Sequence, residues 1–465
     1  MKTFSALGRK LVSPLLTRLL WTAVLVLPAI EAQTSVVLTS LYSFIGTNDG
    51  TNPQAGLVQG SDGFYYGTTY DGGTNDDGTV FKISANGTFS NLCSFGGANG
   101  RLPYARLVEG RDGYFYGTTY KGGTDGDFGT IFKVSTNGAL TNLHAFDGIY
   151  GDGAFVIAGL VLGSDGNFYG TAGYGGTNGG LGTVFAISPN GTFASLYSFD
   201  GTNGEFPLAD LVQGADGNFY GTTYEGGTNG GFGTVFRITT NGALTSLYSF
   251  GGNDGANPQA GLVQGSDGYL YGTTSAGGTN DNLGTVFKIS ANGTFSNLCS
   301  FGGANGELPF ASLVEGRDGY FYGTTGYGGT NGGFGTVFEI TTNGALTSLY
   351  SFSRNDGAHP FSVLVQRSVG RFYGTTFAGG KGEAGTVFRL TIVPAFQAVT
   401  LAANTLSLTW STEAGGMYQL QCNSNLISSN WTNLGNALAA TGTALSATNS
   451  ITNGPQQFYR VVLLP

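Results

Sequence analysis

Charged side chains are scarce in this chain: Asp, Glu, Lys and Arg make up 10% of its 465 residues and leave a net charge of −9. Binding to phosphate backbones needs a basic patch, and Lys and Arg cluster nowhere outside the N-terminal segment, which argues against a nucleic-acid partner. Histidine occurs twice, at His144 and His359, neither with a second histidine close in sequence. A zinc site or a Ser-His-Asp triad therefore has little to draw on. Cysteine occurs three times, at Cys93, Cys299 and Cys422. So odd and sparse a set does not make a disulfide framework. What the chain does have is 83 glycines and 13% aromatic residues. Gly-rich, Tyr/Phe-rich sequence with few helix formers reads as short strands joined by tight turns, an all-β composition.

The N-terminal segment 1–32 opens on Lys2, Arg9, Lys10 and Arg18 and continues into an apolar run, 19–29, interrupted only by Thr22 and Pro28. A basic start, a short apolar core and a small residue at Ala32 read as a signal peptide cleaved before Gln33, with an uncleaved anchor as the alternative. No transmembrane segment is expected after cleavage.

Self-similarity organises the rest. Leu-x-x-Phe ends at Phe44, Phe95, Phe146, Phe199, Phe250, Phe301 and Phe352, spaced by 51 residues with one interval of 53. Tyr-Gly-Thr begins at Tyr66, Tyr116, Tyr169, Tyr220, Tyr271, Tyr322 and Tyr373, and Gly-Thr-(Val/Ile)-Phe recurs as often. One unit holds four strand-like runs, at 55–59, 64–70, 78–84 and 88–95, with Asp62-Gly63 and Asn86-Gly87 at the hairpin turns. Four antiparallel strands per unit predict the blade of a propeller. The last unit lacks its fourth strand, whereas 36–44 is a fourth strand with no first three before it. The ends are thus expected to meet in one blade, giving a seven-bladed β-propeller over 33–393 closed by its N-terminal strand.

After Pro394 the repeat stops. Strand patterns at 405–411, 417–423 and 457–463, with Trp410, Trp431, Tyr418 and Tyr459 as core aromatics, predict a small β-sandwich over 394–465.

The string Leu57-Val58-Gln59-Gly60-Ser61-Asp62-Gly63, then Tyr66-Gly67-Thr68-Thr69, Gly72-Gly73 and Gly78-Thr79-Val80-Phe81-Lys82, resembles the bacterial choice-of-anchor tandem repeat proteins of the GloVer type over about 41–391. The resemblance implies an exported propeller-type repeat carried with a C-terminal attachment or sorting module, and brings no activity with it. A departure is that neither a hydrophobic tail nor a basic stop signal follows Tyr459-Arg460-Val461. The tail itself resembles fibronectin-type-III-like modules at Trp431 and Phe458-Tyr459-Arg460-Val461.

In such a blade the hairpin turns lie on one face, and the longer second-to-third and inter-blade loops on the other, where binding is expected. The candidate ligand-binding residues there are Tyr70, Asp71, Asn75, Tyr120, Tyr224, Asn229 and Asn280. Tyrosine can stack on sugar rings, and Asp, Asn and Thr oxygens suit Ca²⁺, the one candidate cofactor, although the same residue types are what any turn requires. Glycoside cleavage would need two carboxylates across a cleft, and Asp210 and Glu205 lead a pool that includes Glu225 and Glu307. Asp210 occupies a first-strand position expected to face the central channel. Asp62 and its equivalents are turn formers.

The expected function is a secreted or cell-surface binding or display module for an extracellular saccharide or another envelope component. The alternative is a propeller-based glycoside hydrolase or polysaccharide lyase.

Overall fold

The structure, a computed structural model, describes residues 35–464 except 47, 149–150, 395, 403–404, 413–414, 425–429, 443 and 451–456. The expected leader at 1–32 lies outside the described residues. Within them the secondary structure is β throughout, without a helix.

The unit defined by the sequence markers is a four-stranded antiparallel sheet. Its first copy runs Val58–Gln59, Tyr65–Thr69, Thr79–Ile83 and Phe89–Ser94. The first strand is shorter than 55–59 because the chain ahead of Val58 leaves the ladder, and Ala55 gives its carbonyl to a side chain, accepting from Thr375 Oγ1 at 2.9 Å.

Each letter of Tyr-Gly-Thr-Thr has a physical task. The Tyr66 hydroxyl donates to Asp62 Oδ2 at 2.6 Å, while Asp62 Oδ1 accepts the Phe64 N–H, so the turn aspartate ties the hairpin to its own strand. Gly67 leaves room for the Phe81 ring, whose Cζ would lie 2.6 Å from a Cβ. Thr68 Oγ1 donates to the Ala105 carbonyl of the next repeat, and Thr69 Oγ1 bonds Thr79 Oγ1 across the sheet at 2.8 Å. Buried hydroxyls cost free energy unless paired, and both are paired here. The inter-repeat bond recurs from Thr118, Thr171, Thr222, Thr273 and Thr324, and Thr375 makes it to Ala55 of the first repeat.

Apolar packing lies between successive sheets. Tyr66, Val80 and Phe95 share a cluster with Leu107, Phe115, Phe132 and Val134 of the following repeat, the Tyr66 and Phe115 rings stacked at 3.9 Å. An equivalent cluster joins Tyr373 and Val387 to Leu57, Tyr65, Phe81 and Ile83, with Phe44 fully buried among them. In this last repeat Val369 stands where the turn aspartate would be, and Tyr373 keeps the ring packing onto the next repeat, on Tyr65 at 4.4 Å.

The N-terminal strand Ser35–Ser43 pairs antiparallel with Thr386–Val393, which is longer than its counterparts in the other repeats. That sheet runs Ser35–Ser43, Thr386–Val393, Arg371–Thr376, Val365–Ser368.

Beyond it, Phe396–Ala402, Thr405–Ser411 and Ala444–Ser450 form one small sheet. Met417–Asn423 pairs with Phe458–Leu463 and two short strands in another. Both sheets feed one core around the fully buried Trp410, with Leu408, Tyr418, Leu420 and Leu463. The core placement expected of Trp431 is not observed: it is only partly buried, with Arg460 over its ring at 4.3 Å.

Candidate functional site

At the same point in every repeat a non-glycine residue adopts a left-handed backbone: Asn52, Leu102, Phe155, Phe206, Asn257, Leu308 and His359, with φ between 54° and 57°. For bulky side chains this conformation costs on the order of 1–3 kcal/mol and persists only where the surroundings enforce it. Here hydrogen bonds hold it from both sides. The Leu102 N–H donates to the Asp77 carbonyl of the preceding repeat, and its own carbonyl accepts from the Tyr120 N–H; Phe206 does the same between Leu181 and Tyr224. The joint aims the next residues, 54–56 in the first repeat, inward.

Those residues meet in one cavity of about 390 Å³, within the size range of small-molecule sites. Every copy of the unit contributes to its lining: 54–56, 104–106, Ile157, 208–210, 259–261, 310–312 and 361–363. Tyr327, from a second-to-third loop, also lines it, so the cavity opens on the face that carries the long loops.

Its charged pair spans three repeats. Arg106 Nε donates to Asp210 Oδ2 at 3.0 Å, and Asp210 Oδ1 accepts the Gly159 N–H. Asp210 therefore does face the interior, held by two partners. The same cavity has an aromatic cluster: Phe310 and Phe361 meet edge to face at 5.3 Å, and Tyr327 packs on His359 at 4.6 Å. His359 Nδ1 hydrogen-bonds the Gly326 carbonyl at 2.9 Å. The other histidine, His144, hydrogen-bonds Asp152 and stacks on Phe193 in an outer strand.

The predicted tyrosines divide. Tyr70 packs edge to face on Tyr104 at 5.8 Å, and Tyr120 packs on Phe155 at 5.3 Å. Burial, with Tyr70 and Tyr120 adding to it, pushes the Tyr104 hydroxyl up to about 12, so it stays a neutral donor beside the cavity. Tyr224 is half-buried, and its carbonyl accepts from Asn257 Nδ2.

The three asparagines share another task. The Asn75, Asn229 and Asn280 side-chain amides donate to the carbonyls of Phe95, Ser249 and Ser300, stapling each long loop to the outer strand of its own repeat. Asp71 exchanges backbone hydrogen bonds with Thr51, and burial, then the Asp76 charge, raises its carboxyl above the usual range. Glu205 and Glu225 face each other in the same way, each N–H donating to the other's carbonyl. Burial raises the Glu205 carboxyl and the Glu225 charge adds to the shift. Among the described residues no three His, Cys, Asp or Glu side chains converge as a metal-binding group, and no helix is long and apolar enough to cross a membrane.

Tyr104, Gln54, Phe310, Tyr327 and Phe361 were not among the residues expected from sequence. The signal that could have found them is divergence between copies at one repeat position: Gln54, Tyr104, Ile157, Leu208, Gln259, Phe310 and Phe361 are equivalents.

No curated protein matches the sequence. Among solved structures the chain is similar to a gluconolactonase from Xanthomonas campestris, at 13% identity over 76% of this chain and 89% of that one, TM-score 0.40. It is also similar to AofleA from Arthrobotrys oligospora, at 9% identity over 90% and 93%, TM-score 0.36. The profile of the Gloeobacter/Verrucomicrobia repeat matches residues 29–232 and 210–437. Since these matches span the repeats and run into the following strands, the chain belongs to the Gloeobacter/Verrucomicrobia repeat family.

Proposed function

We propose that the exported chain is a seven-bladed propeller closed by its N-terminal strand, and that it binds an extracellular saccharide or another envelope component without turning it over. The pairing of Ser35–Ser43 with Thr386–Val393 supports closure, as does the bond from Thr375 to Ala55, the same bond that links the other neighbours. The two small sheets beyond 394 act as a separate fibronectin-type-III-like module, supported by their own core around Trp410.

The observation that carries the binding reading is the shared cavity, which is lined by aromatic side chains together with a hydrogen-bonded Arg106–Asp210 pair. Aromatic surface with a few fixed polar groups is the chemistry of a sugar site. Screening the purified protein on glycan and cell-envelope arrays, with and without Ca²⁺, tests it. Binding that disappears on removal of the cavity aromatics supports the reading, and absence of binding to any array component rejects it.

The Glu205–Glu225 pair favours a second reading. Directly opposed residues that exchange both hydrogen bonds lie about 5.5 Å apart at Cα, which brings two carboxylates close together, and glycoside cleavage uses a carboxyl pair. Release of reducing ends from a polysaccharide by the wild type, lost in Glu205→Gln with an unchanged melt, would replace binding by catalysis.

A further inference from the structure

We infer that the cavity selects a neutral sugar unit, in preference to an acidic or an amino sugar; this rests on the saccharide-binding reading above.

The chain contains its own comparison. Residues 84–121 and 290–327 are two copies of one segment that differ at five positions: Arg101/Glu307, Tyr104/Phe310, Arg106/Ser312, Tyr120/Gly326 and Lys121/Tyr327. Tyr104, Arg106, Phe310, Ser312 and Tyr327 line the cavity. Arg101 and Lys121, like Glu307 and Tyr327, are bridge partners on the loop face. Tyr120 neighbours Tyr104. The strands correspond one to one in the two copies, so the β scaffold alone does not call for these differences. They make a symmetric cavity one-sided, with the charged pair toward the second to fourth repeats and the aromatic cluster toward the sixth and seventh.

Hydrogen-bonding capacity then limits the ligand. Arg106 spends Nε on Asp210, and among the described residues no hydrogen bond engages its two Nη nitrogens. The site thus offers donors from Arg106 and an acceptor in Asp210, the complement of hydroxyls that both accept and donate, beside aromatic side chains for the C–H side of a sugar ring.

Charge decides among sugars. Among the described residues, Arg106 and Asp210 are the only charged ones lining the cavity, and they cancel. A carboxylate reaching Arg106 would also meet Asp210, and an ammonium group reaching Asp210 would also meet Arg106. A neutral ring meets neither penalty.

The test is calorimetric titration of the full-length protein with neutral cello-, xylo-, manno- and galacto-tetraose, with tetragalacturonate and with chitosan tetramer. Arg106→Ser, which installs the residue of the other copy, and Phe361→Ala are compared with wild type, after melts establish that both are folded. At least one neutral oligosaccharide is expected to bind about tenfold or more tightly than the charged ones, with both substitutions weakening it by a similar factor. Tighter binding of the uronate or chitosan would overturn the neutral-sugar inference while leaving the saccharide reading intact. Failure of every oligosaccharide would overturn both. Neutral binding that neither substitution weakens would remove the cavity as its site.

Discussion

Arg106 and Asp210, 104 residues apart in the chain, meet at 3.0 Å inside the cavity and so bind the second repeat to the fourth across the third. Their side chains are 44% and 22% exposed, so the ion pair is partly solvated and its own worth is on the order of 0–1 kcal/mol. Asp210→Asn, which keeps an acceptor for the Gly159 N–H, should therefore shift the melt by no more than that while weakening sugar binding by about tenfold. Calorimetry and thermal melts on one preparation decide. A large loss of stability would make the pair structural.

Deleting 36–44 should abolish the cooperative melt of the repeats, because it uncovers the edge of Thr386–Val393 and removes the buried Phe44. Deleting 395–465 should leave that melt nearly unchanged. The milder Phe44→Ala is expected to cost about 3–5 kcal/mol, readable by denaturant titration. Equal effects of the two deletions would contradict closure by the N-terminal strand.

Glu339 stands where Lys82, Lys133 and Lys288 stand in other repeats, and burial, then the Asp318 charge, lifts its carboxyl to about 7. A carboxyl whose folded value lies above its unfolded one keeps more protons in the folded state between the two. Stability therefore falls as pH rises from the ordinary glutamate range to about 7, and levels off above it. Glu339→Gln should remove this slope and stabilise the protein at pH 8 by roughly 1–3 kcal/mol relative to wild type. Melts at pH 5 and pH 8 read the difference, and parallel pH profiles for the two proteins would refute it.

Gly67 has no positive φ, so its cost on substitution comes from contact alone: a Cβ there would lie 2.6 Å from Phe81 Cζ and 2.9 Å from Leu57 Cδ2. Gly67→Ala should destabilise by about 1–3 kcal/mol through overpacking. Gly63→Ala, at a turn with φ of +84° and open space around it, should cost roughly 1 kcal/mol through backbone strain. Chemical denaturation that ranks them the other way would refute the packing account.

Export is expected to yield a mature chain beginning near Gln33. Mass spectrometry of secreted protein reads this directly, and a product retaining 1–32 would favour the uncleaved anchor.

The repeat strands, their hairpins and the C-terminal strands at 405–411 and 417–423 were legible in the sequence. Period-two alternation and Asp-Gly or Asn-Gly turns act over a few residues, and the same markers recur about every 51 residues. The turn role of Asp62 was equally plain, since an aspartate before glycine can cap its own hairpin, as its bond to Phe64 does. Asp210 was placed toward the interior by its position in the expected first strand, although the strand itself begins only at Val212, and its partners were not foreseeable.

What the sequence determined by itself is the local code: where strands begin and turn, and which positions repeat. What only the tertiary structure decided is the meaning of the positions where the copies differ. Gln54, Tyr104, Asp210 and Phe361 sit in equivalent or adjacent places of separate repeats and touch nothing in common along the chain. They become one cavity wall because each left-handed joint turns its repeat inward to the same point. Fates of like residues were decided there too, Trp410 in a core and Trp431 under Arg460, since burial depends on which sheet packs against which and not on the side chain alone.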